Sequence, residues 1–172
     1  MNRDKNVVLI GMPGVGKSTV GVLLAKRLGY AFLDTDIHIQ TREGRSLREI
    51  IADLGTAGFC GLEEKHLLSI TLKGHVIATG GSAVYSDQAM QHLGRDGFIV
   101  HLDLDCRQLQ KRLDDIERRG VVIAPGQRIA DLYTERDRLY RKYADVTVAT
   151  DGMAPDQVVQ KICDHPVIHH KG

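Results

Sequence analysis

The chain has 172 residues and a formal net charge of +1, with its charged residues spread along the sequence rather than gathered in blocks. That length suits one compact domain, and the near-neutral balance leaves no nucleic-acid footprint and no polybasic membrane patch, so small anions are the expected partners. Cys60, Cys106 and Cys163 are odd in number and far apart, which fits reduced thiols and excludes a disulfide framework or zinc-ligand spacing.

Residues 1–6 lead into the apolar run 7–10 without a signal-peptide pattern, and no later run approaches the length of a membrane span. A cytoplasmic monomer is expected. The run 7–10 is followed by Gly-Met-Pro-Gly-Val-Gly-Lys-Ser-Thr at 11–19, a full G-x-x-x-x-G-K-S pattern, and then by a periodic helical segment at 20–28. A strand, a glycine-rich turn and a helix N-terminus in this order make a phosphate-binding loop. Gly11, Gly14 and Gly16 let the backbone turn its N–H groups inward around phosphate oxygens. Lys17 is expected to reach the β- and γ-phosphates and Ser18 to ligate Mg²⁺. Gly14, Val15, Gly16, Lys17, Ser18 and Thr19 are the residues expected to wrap the nucleotide, ATP.

Further strands are predicted at 31–33, 75–78, 98–102 and 146–149, each short and apolar enough to be buried on both faces. Helices are predicted after Lys17, Thr35, Ser46, Cys60, Ser86, Asp105, Gln127 and Pro155. The alternation implies an α/β fold, a five-stranded parallel sheet of the P-loop NTPase type flanked by helices on both faces. Asp34-Thr35-Asp36 follows the second strand, so both carboxylates should sit on the same rim as the phosphate loop. One could hold Mg²⁺ while the other faces a substrate hydroxyl; the plainer reading is a helix N-cap. Thr79-Gly80-Gly81-Ser82 follows the third strand, where two glycines admit a ligand close to the backbone or simply make a turn. The stretch 118–126, with Arg118, Arg119 and hinge-like Gly and Pro, reads as part of a mobile lid at about 118–127. In the helical segment 132–145, Tyr133 and Tyr140 fall at packing positions, and Arg136 either faces solvent or projects into the cleft. His165, His169 and His170 are expected in a frayed tail.

Taken together, the loop at 11–21, Leu-Ala-Lys-Arg-Leu-Gly at 24–29, Asp34-Thr35-Asp36, Gly44-Arg45-Ser46, Ala78-Thr79-Gly80-Gly81-Ser82-Ala83-Val84, the lid and Glu135-Arg136-Asp137-Arg138-Leu139-Tyr140 resemble the shikimate kinases in order and spacing over nearly the whole chain. The resemblance implies one ATP- and Mg²⁺-dependent kinase domain that phosphorylates a hydroxyl of a small polyhydroxylated metabolite, shikimate to shikimate 3-phosphate, with an acceptor-binding helical region at about 35–62. It also implies roles. Lys17 cradles the transferred phosphoryl group, Ser18 binds Mg²⁺ and Asp34 supports the metal through water. Asp36 contacts and helps deprotonate the accepting hydroxyl, while Gly80 and Gly81 line the acceptor pocket. Arg136 grips the acceptor carboxylate, Arg119 enters with the lid, and Arg112 stacks on adenine.

One departure bears on the acceptor. Where the resembled family carries Gly-Glu-x-x-Phe-Arg-x-x-Glu, this chain has Gly55-Thr56-Ala57-Gly58-Phe59-Cys60-Gly61-Leu62-Glu63. Phe59 and Glu63 keep the register, but Cys60 replaces the arginine that forms the second jaw of the carboxylate clamp, and Thr56 replaces its supporting glutamate. Loss of one charge-assisted hydrogen bond is worth roughly 10- to 150-fold in discrimination. Arg45, Arg48 and Lys65 are the candidate replacements. The alternatives are a kinase of this fold with another acceptor, gluconate-like for example, and a nucleotide-binding module without transfer activity. The presence of Lys17, Ser18, Asp34, Asp36, Arg119 and Arg136 together favours the enzyme.

Overall fold

The computed structural model describes residues 5–113 and 128–169; the stretch assigned to the lid, with Arg119, lies outside them. In chain order the elements are β1 (Asn6–Ile10), α1 (Lys17–Leu28), β2 (Ala31–Asp34), α2 (Thr35–Glu43), α3 (Leu47–Leu68), β3 (His75–Ala78), a 3₁₀ turn (Ala83–Tyr85), α4 (Asp87–Arg95), β4 (Gly97–Asp103), α5 (Cys106–Leu113), α6 (Ile129–Tyr143), β5 (Val146–Ala149), α7 (Pro155–Cys163) and α8 (Pro166–His169). The strands form one parallel sheet in the order β2-β3-β1-β4-β5. Helices flank it on both faces, as the alternation of apolar strands and helical segments predicts.

The β1 strand lies at the centre, with Val7 opposite both Val76 and Phe98, and Leu9 opposite Ala78 and Val100. Val7, Val8, Leu9 and Ile10 are all fully buried, so this strand has no polar face and its carboxyl end delivers the chain straight to the loop. Because β2 and β3 lie on one side of β1 and β4 and β5 on the other, the crossovers diverge at that end, where α/β sheets open a ligand crevice. The expectation of burial on both faces fails for β2 and β5. They are the edge strands, and residues on each remain partly or fully exposed.

The two helices predicted after Ser46 and Cys60 are one element, α3, broken at Gly55, whose φ of 69° and ψ of 176° cannot continue a helix. A capping box starts it: the Glu49 amide donates to Ser46 Oγ (3.3 Å), and the Ser46 amide to Glu49 Oε2 (2.8 Å). Past Gly55, Phe59, Glu63 and Leu67 recur every four residues and form one buried stripe. Phe59 joins Ile39, Leu47 and Ile50 in a small core of its own, separate from the main core over the sheet. The C-terminal segment is more ordered than the expected frayed tail. His165 packs against Phe98 with ring centroids 5.2 Å apart, and α8 follows it; His170 is outside the described residues. No helix among the described residues is long and apolar enough to cross a membrane.

Phe59 is 2% exposed in a cluster with three other buried side chains, so Phe59→Ala should lower the unfolding free energy by about 3–5 kcal/mol in urea denaturation. A loss below about 1 kcal/mol would mean that the small core collapses around the missing ring.

Candidate active site

The loop after β1 has the backbone its glycines require: φ is positive at Gly11 (143°), Gly14 (81°) and Gly16 (107°). At Gly11 a Cβ would also lie 2.5 Å from the Leu102 carbonyl oxygen, so both conformation and space exclude a side chain. Gly16 caps α1 with no side-chain acceptor, which leaves the first amides of the helix directed at whatever occupies the loop. Val15 is buried and anchors the loop, while Ser18 and Thr19 are exposed on the first turn. Lys17 is 8% exposed and folds back on the loop, donating from Nζ to the carbonyls of Gly11 (2.7 Å) and Met12 (2.9 Å). Burial pulls its pKa down to about 8, against the opposing field of Asp36, so it stays charged at neutral pH. Arg112 stands exposed at the outer wall, with Nη1 3.4 Å from the carbonyls of Gly14 and Val15.

Asp34 is a helix N-cap, the plainer of its two readings, and it uses one oxygen for that task. Oδ1 accepts from the amides of Asp36 (3.0 Å) and Ile37 (3.2 Å) and caps α2, whereas Oδ2 accepts from Ser18 Oγ at 2.6 Å. The first turn of α2 then carries Asp36 towards Lys17. Burial raises the Asp36 pKa to about 6, with Lys17 pulling it down and Asp34 adding to the rise.

Gly80 and Gly81 pass closely under this group. The Gly80 amide donates to Thr35 Oγ1 (3.1 Å), and a Cβ there would strike Glu63 Oε1 and lie 2.8 Å from Asp36 Oδ1. A Cβ at Gly81 would lie 2.7 Å from Pro13 Cδ and 3.1 Å from Arg136 Nη1. Arg136 is 1% exposed, so the cleft-facing reading replaces the solvated one. Its Nε donates to Tyr85 Oη (3.0 Å) and its guanidinium lies 5.0 Å from the Tyr85 ring centre. Tyr140, one turn further along α6, is the buried packing residue expected, but it also donates from Oη to the Gly81 carbonyl at 2.7 Å. It therefore fixes the glycine turn as well as the core.

The sequence reading used Glu63 only to hold register, yet it is a buried member of the site. It is 1% exposed, Ser82 Oγ donates to its Oε2 at 2.5 Å, and burial drives its pKa up to about 7. The signal was available in its spacing: Phe59, Glu63 and Leu67 share a helical face that two of them mark as apolar. Tyr85 and Ser82 carried no such pattern. None of Arg45, Arg48 and Lys65 lines the cavity beside Cys60; all three are exposed, and Arg45 pairs with Asp53 at 3.1 Å. Elsewhere, His101, Asp103 and Asp137 cluster at metal-like spacing, but Arg141 already bonds both carboxylates at 2.8 Å.

The family model for shikimate kinase matches residues 13–165. A shikimate kinase of Thermodesulfovibrio yellowstonii is 40% identical over 161 residues, covering 92% of each chain. One from Pseudomonas paraeruginosa is 41% identical over 162 residues, 92% of this chain and 94% of its own. Among solved structures, the shikimate kinase from Acinetobacter baumannii in complex with shikimate superposes with a TM-score of 0.89 at 32% identity, over 98% of this chain and 96% of that one.

Asp36 should titrate near 6 by carboxyl-carbon NMR, and Lys17→Met should move that value upward, because the lysine charge opposes the burial that raises it. A value near 4, unmoved by the substitution, would mean that Asp36 is solvated and independent of the loop.

Proposed function

This chain belongs to the shikimate kinase family, and on that premise we propose that it transfers the terminal phosphoryl group of ATP to a hydroxyl of shikimate. The observation that supports the assignment most directly is the gathering of Lys17, Asp36, Gly80, Gly81 and Arg136 at one carboxyl rim of the sheet. An anion cradle, a basic carboxylate and a guanidinium stand around the Gly80–Gly81 turn.

Phosphoryl transfer depends on alignment and on charge facing the phosphate oxygens more than on covalent help from the protein. Loop amides hold the phosphates, and Lys17 exchanges the carbonyls of Gly11 and Met12 for the β- and γ-phosphate oxygens. Asp36, with a pKa of about 6, is ionised at neutral pH and accepts the proton of the hydroxyl as its oxygen bonds to the γ-phosphorus and ADP departs. Arg136, held by Tyr85, receives the acceptor carboxylate. Arg112 flanks the nucleotide, and Arg119 brings a further cation to the transferring group. Ser18 Oγ and Asp34 Oδ2 are hard oxygen donors already in contact, which suits Mg²⁺, and Asp34 keeps its other oxygen on the helix cap. When bound, Mg²⁺ supplies charge neutralisation on the β- and γ-phosphates.

The assignment is tested by following ADP release and the phosphorylated product with ATP, Mg²⁺ and shikimate. Wild type should turn over and Lys17→Ala should not, with its fold intact by circular dichroism. Turnover of a neutral polyol in place of shikimate would overturn the acceptor assignment.

Cys60 stands where the family has the arginine opposite Arg136, so among the described residues that jaw of the clamp lacks its guanidinium. Cys60→Arg should place a guanidinium beside Glu63 and raise kcat/KM for shikimate about 10-fold, on the order of 1.4 kcal/mol. Thr56→Glu should be combined with it, because an unsupported guanidinium in a partly buried pocket carries a desolvation cost. If neither variant gains on shikimate, the carboxylate is not recognised at this wall.

A further inference from the structure

Tyr140 sits where the two halves of the rim meet. It is 1% exposed on α6, and its ring stacks on that of His101 from β4, with centroids 5.0 Å apart and the planes 26° from parallel. Burial raises its pKa, so the hydroxyl keeps its proton at neutral pH and both donates and accepts.

Three segments converge on that one oxygen. It donates to the Gly81 carbonyl at 2.7 Å, in the turn that follows β3, and lies 3.9 Å from Met12 Sδ, in the phosphate loop. The guanidinium of Arg136, one turn earlier on α6, donates a hydrogen bond to it. Loop and turn also touch directly, since a Cβ at Gly81 would lie 2.7 Å from Pro13 Cδ.

The loop changes its bonding at this point when it is filled. Lys17 Nζ is held by the carbonyls of Gly11 and Met12, and nucleotide phosphates compete for it with stronger, charge-assisted bonds. Capture of the lysine frees the carbonyl of Met12, the residue whose sulfur faces Tyr140 Oη. Through Oη the change reaches the Gly81 carbonyl and Arg136.

We propose that Tyr140 is a positioning residue: its hydroxyl registers the acceptor turn and Arg136 against the phosphate loop, so that nucleotide and acceptor bind with positive coupling. A ligand that orders one side removes part of the cost of ordering the other. Such coupling is reciprocal, so each ligand tightens the other by the same factor. The acceptor half rests on the shikimate kinase reading.

The test is calorimetric: ADP with Mg²⁺ alone, shikimate alone, and each in the presence of the other at saturation, for wild type, Tyr140→Phe and Met12→Leu. In wild type the second ligand should bind about 10-fold tighter than it does alone, in either order. Tyr140→Phe keeps the ring against His101 and the contact of Pro13 with Gly81, and removes only the hydroxyl. It should bind ADP alone within about 2-fold of wild type, while the coupling falls below about 2-fold and kcat falls more than either KM changes. A role in packing alone would lower Tm and leave the coupling factor where it was. Met12→Leu, a swap of similar volume without the sulfur, should lose part of the coupling, and it decides if Tyr140→Phe does not fold. Wild-type coupling below about 2-fold, or an undiminished factor in Tyr140→Phe, overturns the proposal. So does loss of ADP binding alone in Tyr140→Phe, which would place the hydroxyl in the nucleotide site itself. Wild type that binds ADP but not shikimate overturns the kinase reading, and the acceptor half with it.

Discussion

Five ionisable side chains, Lys17, Asp34, Asp36, Glu63 and Arg136, act on one another across a single rim, and the protein must keep that rim near electrical balance. Three are acids and two are bases, so neither sign dominates before nucleotide arrives. Burial is the largest influence on Lys17, Asp36 and Glu63 alike, pushing each towards its neutral form, while the opposite charges around it push back. The sheet makes this possible. β1 carries no polar side chain between Val7 and Ile10, so its apolar run leads directly to the carboxyl end, where the loop amides and α1 supply positive potential.

Much of the rim was legible in the sequence because its parts are local. Gly11, Gly14 and Gly16 declare their backbone by lacking side chains, and Asp34-Thr35-Asp36 needs only the end of a strand to be placed. What escaped was whatever depends on distant segments meeting. The spacing of Glu63 with Phe59 and Leu67 marks its helical face as apolar, but its place in the site comes only from the packing of α3 against Ser82 and Gly80. Tyr85 likewise has no motif, and it matters because α6 brings Arg136 onto its hydroxyl. The edge positions of β2 and β5 follow from strand order, which no strand announces in its own residues.

The small core of Ile39, Leu47, Ile50 and Phe59 explains how the acceptor side is built. It ties α2 to both segments of α3 without drawing on the main core over the sheet, and Gly55 lets the second segment set its own direction. Phe59 lies within that core, and Cys60, its neighbour, packs against it while also lining the cavity. Substitutions at 60 thus bear on the cavity wall and on the edge of this small core together.

Asp34 illustrates how one side chain can confound its own genetics. Since Oδ1 holds the start of α2 and Oδ2 reaches Ser18, an alanine at 34 would remove a helix N-cap and an oxygen ligand in the same stroke. A dead variant of that kind would say little about metal. Asparagine keeps the oxygen that caps the helix while replacing the other with an amide nitrogen, and so separates the two tasks that aspartate performs with a single carboxylate.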